Sequence, residues 1–342
     1  MEGVSSLMAF FHHIFLFLTP ELQRRPYIGG KKDHMSYYND TPAERAFLEG
    51  GPFFHLCTKA LESDVFFHGD SERTLAVNYL AIAIMESGCR LLAFSIMSNH
   101  FHFVLEATDE QVAAFWQLFK QLLGTYFARH GRPGLLEGVE ATPYPISNLK
   151  QLRNTIAYVI RNGFAARQDV HVFADPWSSG FLYFNPMLRK EGVSASTLKG
   201  QNLRDFTRSR KIGGLDGRIF IHEGQAQFWS FVDYPRAEQF FDHCRQFVNT
   251  VLRNVEGMVE VSMSIGESPS LSDDELLPFT FKLCKERLGA DYPSKLDTAS
   301  RKQLALWLKQ DYRAGNKQIA RLTRLPLSDV DAMFPMAATA RQ

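Results

Sequence analysis

Apolar residues recur along this chain in two rhythms, one of period two and one of period three to four. Residues 94–106, from Phe94 through Met97, His100 and His102 to Glu106, form a strand-like apolar run. Side chains of a strand alternate between faces, so Phe101 and Phe103 share one face while His100 and His102 share the other. Residues 53–60 read as an earlier strand and residues 71–87 as a helix. In residues 148–163, Leu149, Leu152, Ile156 and Val159 recur at helical intervals, and Gly163 suits a C-terminal cap. Residues 115–130 are apolar enough to predict a helix packed on the sheet.

The second half is read with the same rule. Phe240, Phe241, Cys244, Phe247, Val248, Val251 and Leu252 give residues 236–255 a helical stripe of the kind that usually faces a core. Residues 266–274 look like a linker and helix start, residues 300–312 like a helix, and residues 316–334 like helix, short turn, helix.

Composition adjusts this picture in a few places. With 342 residues and 45% hydrophobic content, two or three domains are expected. The net charge of +1 gives no general attraction to nucleic acid. The stretch from Lys199 to Arg218 is different, with Lys199, Arg204, Arg208, Arg210, Lys211 and Arg218 set against Asp205 and Asp216. Such a stretch is a solvated basic face or a track for a phosphate backbone. A shorter basic stretch, residues 23–32, is a weaker case. Cys57, Cys89, Cys244 and Cys284 form no Cys-x-x-Cys and predict reduced thiols in a cytoplasmic protein. The apolar run 7–18 lacks a basic start and a cleavage site and is too short to cross a bilayer, so neither leader nor membrane partner is expected.

Candidate chemistry centres on the two histidines. Imidazole is the commonest protein ligand for metal ions, and two on one face converge on a point. The spacing alone is equally compatible with a metal site and with a hydrogen-bonded pair. Tyr158 and Asn162, four apart, share one face of the predicted helix. A phenol is a weak nucleophile toward phosphorus unless a nearby cation polarises the phosphate, and an amide oxygen one turn away can bind such a cation. Taken alone, Tyr158 reads better as a core or interface tyrosine on a buried helix face than as a nucleophile. Tyr126 is the rival nucleophile, with only His130 four residues on. His12, His13, His55, His68, His222 and His243 read as surface or satisfied core residues.

The residues Met97-Ser-Asn-His-Phe-His102, the spaced Tyr158 and Asn162, and the segment Asp175-Pro-Trp-Ser-Ser-Gly180 together resemble the single-tyrosine HUH transposases, most closely the REP-associated tyrosine transposases. The resemblance spans residues 51–185. It implies an α+β fold, an antiparallel sheet flanked by helices of the HUH, ferredoxin-like type, followed by a helical C-terminal region. It implies His100, His102 and Asn162 as ligands of Mg²⁺ or Mn²⁺ and Tyr158 as the catalytic nucleophile. The implied partner is single-stranded or hairpin DNA, cleaved and rejoined through a 5′-phosphotyrosine by a monomer or a homodimer. The chain departs from the family at Ser98, where proline is usual, and at Gly163, where Asn-Pro is usual.

The resulting division is an N-terminal extension (1–50), a catalytic domain (51–185), a basic and helical connecting region (186–268) and a helical C-terminal domain (269–342). In the last, residues 317–323 and 327–334 resemble a helix-turn-helix. Asp329 and Asp331 in the recognition position would repel phosphate, so the module either contacts DNA or packs against the catalytic domain or another protein. Two further readings are a domesticated DNA binder that does not cut, and a metal-dependent phosphodiesterase that uses water.

Overall fold

Two antiparallel ladders built on one histidine-bearing strand organise the molecule, a computed structural model that describes residues 41–58, 65–166, 171–208, 214–266, 271 and 273–335. Helix α1 (Pro42–Leu48) starts on a capping box between Thr41 and Glu44 and leads to strand β1 (Phe53–Thr58). Helix α2 (Asp70–Ser87) ends at Gly88, whose φ of 68° supplies the left-handed turn into strand β2 (Arg90–Ile96). Strand β3 (Phe101–Glu106), helix α3 (Asp109–Arg129), strand β4 (Ala141–Ile146) and helix α4 (Leu149–Ala166) follow. The four strands are antiparallel throughout, in the order β2-β3-β1-β4.

Each face of this sheet is closed by helix. Phe101 meets Phe119 edge-on at 5.2 Å between centroids, and Phe103 meets Phe115 in the same way at 5.2 Å, so α3 seals one face with aromatic rings. Helix α4 crosses β2 and β3 on the other face. Its Leu152, Ile156 and Val159, the positions that carried the helical period, are fully buried.

The edge of β2 is closed by the segment after α4. Ile96 N donates to Trp177 O at 2.9 Å, Phe94 N to Ser179 Oγ at 3.1 Å, and Tyr183 Oη to Leu92 O at 2.5 Å. Ser178 bridges antiparallel to Ser95, and its hydroxyl donates to Ile160 O on α4 at 3.3 Å. A side chain at Gly180 would meet Ile160 Cγ2 at 2.9 Å and the Val172 carbonyl at 3.3 Å, so glycine is what lets this segment lie against α4. The Trp-Ser-Ser-Gly residues thus cap a sheet edge that would otherwise expose pairing groups.

Beyond residue 185 come β5 (Val193–Ser194), α5 (Gly200–Thr207), β6 (Phe220–His222) and β7 (Gln225–Ala226), whose strands form a small antiparallel sheet. Helices α6 (Tyr234–Glu238), α7 (Cys244–Arg253) and α8 (Val255–Ser264) precede a C-terminal group, α9 (Asp273–Leu288), α10 (Thr298–Tyr312), α11 (Asn316–Thr323) and α12 (Leu327–Met333). One hydrophobic core runs from Ala46 to Ile265 and takes in Phe206, Ile219, Phe228, Phe240 and Phe247 from residues 186–268. A second is built from Leu271 to Val330. Arg161 of α4 joins them, donating to the Val251 carbonyl at 3.3 Å and pairing with Glu275 of α9. No described helix is long and apolar enough to cross a membrane.

The α+β expectation, with its antiparallel sheet, flanking helices and helical C-terminal region, describes this architecture. Three local expectations need correction. Residues 94–106 are a hairpin, because β2 ends at Ile96 and Met97 N donates to His100 O at 3.0 Å to close a turn through the turn-formers Ser98 and Asn99. Gly163 does not cap α4, which continues through Phe164, Ala165 and Ala166, two of them alanines of high helix propensity. Residues 236–255 are two helices, since His243 caps α7 by accepting from Gln246 N at 3.0 Å; Phe240, Phe241, Phe247 and Val251 are buried while Leu252 is exposed.

Candidate functional site

Antiparallel register decides what stands beside the paired histidines. Cys57 of β1 lies directly opposite His102 of β3, and His55 lies opposite Val104. His55 and Cys57, two apart, leave β1 on the same face. His55 Nε2 and His102 Nδ1 are 3.2 Å apart, and their rings stack at 5.4 Å with 30° between planes. His102 is 0%, His55 2% and Cys57 5% exposed.

The two histidines read from the sequence are neighbours. His100 stands at the entrance to β3, with its ring 4.9 Å from that of His102 and nearly perpendicular to it. Its Nδ1 is 2.8 Å from Asn99 Oδ1. A carbonyl oxygen only accepts, so Nδ1 of the neutral ring carries the proton and Nε2 keeps the lone pair that a ligand needs. Burial lowers the pKa of His100 to about 4 and that of His55 to about 3. Burial, then the nearby His100 and His55, hold His102 well below the usual histidine value. All three are neutral at pH 7.

Helix α4 brings Tyr158 onto this group. Its ring meets His102 edge-on at 5.7 Å and 87°, and His55 at 5.9 Å and 71°. Tyr158 is 4% exposed. Tyr144 of β4 lies 6.5 Å from His55 on the far side. Asn162, one turn beyond Tyr158, has a buried Nδ2 with no hydrogen-bond partner among the described residues. A buried amide in that state suits a ligand oxygen or, turned over about χ2, offers its carbonyl oxygen to a cation.

Tyr126 lies elsewhere. It is half-buried on α3, its ring tilted by 32° against that of His130 at 4.0 Å, and His130 Nδ1 meets the Tyr126 carbonyl at 2.8 Å. His68 is exposed, and His12 and His13 lie outside the described residues. In the basic stretch, Lys199, Arg204 and Arg208 are exposed on and around α5. Arg218 is tied to Asp216, with Nη2 to Oδ2 at 2.6 Å. Arg210 and Lys211 lie outside the described residues, as does the basic stretch 23–32. In the C-terminal pair of helices, Asn316 Nδ2 donates to Asp331 Oδ1 at 2.9 Å and to the Phe334 carbonyl at 2.8 Å, so part of the acidic face is used within the unit.

His55 is the core histidine that sequence reading allows, and the neighbour that satisfies it, a member of the candidate pair, is what that reading missed. The signal was the spacing of His55 and Cys57 on one strand face. Its meaning depended on the β1–β3 register across 47 residues.

No family model matches the chain, and no curated protein is similar to it. A solved structure of a REP-associated tyrosine transposase bound to a REP hairpin is similar to it at 14% identity, over 44% of this chain and 84% of that one, with a TM-score of 0.32. A likeness that loose leaves the site to be judged on its own geometry.

Proposed function

We propose that this chain is a metal-dependent single-strand DNA transesterase of the tyrosine transposase type, acting at hairpin-associated sites. The observation that carries the reading is the placement of Tyr158: a helix from a separate part of the chain lays its phenol ring edge-on against His102, whose own ring neighbours that of His100. The groups that would hold a divalent ion, Mg²⁺ or Mn²⁺, are His100, with its lone pair oriented by Asn99, the neutral His102, and the side-chain oxygen of Asn162, one turn from Tyr158. Such an ion, when bound, polarises the scissile phosphate and neutralises the charge that builds on its oxygens.

The chain's own groups do the rest. Tyr158 Oη forms a bond to phosphorus as the bond to the 3′ oxygen breaks, giving a 5′-phosphotyrosine and a 3′-hydroxyl that takes up the proton lost by the phenol. The phosphodiester energy stays in the covalent link, so no nucleotide is consumed and the reverse step rejoins the strand. Tyr158 is buried, so attack needs the helix or its cover to shift, and DNA binding supplies the free energy for that shift. Lys199, Arg204 and Arg208 offer exposed charge for the backbone of the strand.

The burial of Tyr158 is also the observation that favours a second reading, a binder of structured DNA that no longer cuts. End-labelled single-stranded DNA carrying imperfect hairpins, incubated with the protein and Mn²⁺ or Mg²⁺, separates the two on a denaturing protein gel. A labelled protein band that vanishes with chelator and with Tyr158→Phe supports the transesterase. Retarded but uncut DNA on a native gel supports the binder, and cleavage without a protein adduct points to a water-using phosphodiesterase.

A further inference from the structure

The polar face of the sheet holds more donor atoms than the pair His100 and His102. One donor atom from each of His55, Cys57 and His102 lies within 4.8 Å of the other two, and all three residues are buried. The group is drawn from two adjacent strands locked in register, so its geometry is set by backbone pairing, with Cys57 fixed opposite His102. Two imidazole nitrogens and a sulfur are the donors that first-row transition ions prefer, whereas Mg²⁺ prefers oxygen. Two nitrogens bound to one tetrahedral zinc at ~2.0–2.1 Å stand roughly 3.3 Å apart. His55 Nε2 and His102 Nδ1 stand 3.2 Å apart.

We propose that His55, Cys57 and His102 form a buried site for a thiophilic divalent ion such as Zn²⁺ or Co²⁺, which shares His102 with the pair that includes His100. Binding converts the Cys57 thiol to thiolate and releases one proton to solvent, and the three protein donors leave a fourth position for water or another small ligand. A neutral imidazole has a single lone pair, so His102 serves one ion at a time. An ion held on Cys57 takes His102 away from His100. If the transesterase reading above holds, Zn²⁺ therefore inhibits cleavage supported by Mn²⁺, and Cys57→Ser relieves that inhibition.

The site itself is tested without activity. Co²⁺ titrated into the full chain should give thiolate-to-cobalt charge-transfer absorption that saturates at one equivalent and is displaced by Zn²⁺. The band should disappear in Cys57→Ser, weaken in His55→Ala and persist in His100→Ala and Tyr158→Phe. Absence of the band in the unaltered protein, or its survival in Cys57→Ser, overturns the proposal and leaves His55 and His102 as a hydrogen-bonded pair. Should Cys57→Ser fail to fold, X-ray absorption of the zinc-loaded unaltered protein decides: one sulfur in the ligand shell supports the site, and a sulfur-free shell sinks it. Failure of the Tyr158 adduct leaves the cobalt result standing, and a missing cobalt band leaves the adduct result standing.

Discussion

The two faces of β3 are made by alternate residues of the same six-residue strand, and they are held in opposite ways. Phe101 and Phe103 enter a packing of aromatic rings from α3, with centroids 5.2 to 6.0 Å apart. His102, between them in sequence, enters a layer of imidazoles, a thiol and a phenol beneath α4. The apolar face gains from dispersion and area removed from water. The polar face gains little from burial and is only partly satisfied from within, with His55 and His102 hydrogen-bonded to each other while Asn162 Nδ2 has no hydrogen-bond partner among the described residues. A single strand thus carries a stabilising side and a side kept ready for chemistry.

The sharpest way to separate the faces is to remove one oxygen from the polar side. Tyr158→Phe should abolish the covalent DNA adduct on a denaturing gel while shifting the unfolding free energy by about 1 kcal/mol, the scale of one hydrogen bond. Adduct formation at the unaltered level would remove Tyr158 from the mechanism. On the apolar side the effect should invert: Phe103→Ala should cost about 3–5 kcal/mol in denaturant unfolding, with the fraction that stays folded still forming adduct.

Acid should distinguish the faces next. The pKa values of His100 and His55 are lowered by burial to about 4 and about 3, so the unfolded chain takes up protons near the ordinary histidine value while the folded chain resists them. The unfolded state therefore binds more protons below about pH 6.5, and stability falls as pH drops from there toward the folded values near 3 to 4. The melting temperature in chelator should follow that slope, and His55→Phe should flatten it whereas Phe103→Leu should leave it unchanged. An equal slope in His55→Phe would show that His55 takes no part in acid unfolding. Smallest of all, Ser178→Ala removes the hydroxyl that ties the capped sheet edge to Ile160 on α4 and should cost about 1 kcal/mol, read from the denaturant midpoint.

What could be read in advance followed the range of the interactions involved. Helix α4 was legible because Leu152, Ile156 and Val159 announce a buried stripe by local period alone. So was the division of Phe101 and Phe103 from His102, which needs only the alternation of a strand. The hairpin at residues 97–100 was hidden by the apolar residues on both sides of Ser98 and Asn99, which masked two ordinary turn-formers. Gly163 misled because glycine ends many helices, and here the alanines after it carry the helix on. His55 could not be placed beside His102 from spacing, since their neighbourhood exists only once β1 and β3 have chosen a register.

Arg161 sets a limit on how this molecule can be rearranged by evolution. The residue sits on the same helix as Tyr158 and Asn162, and its buried guanidinium is answered by Glu275 from the second core. A descendant that exchanged everything after α8 for a segment covering Arg161 without an acid would leave a buried cation unanswered at a cost of about 3–5 kcal/mol. The helical tail and the sheet are therefore coupled in descent, and a gene fusion that covers position 161 has to bring an acid to it or change it.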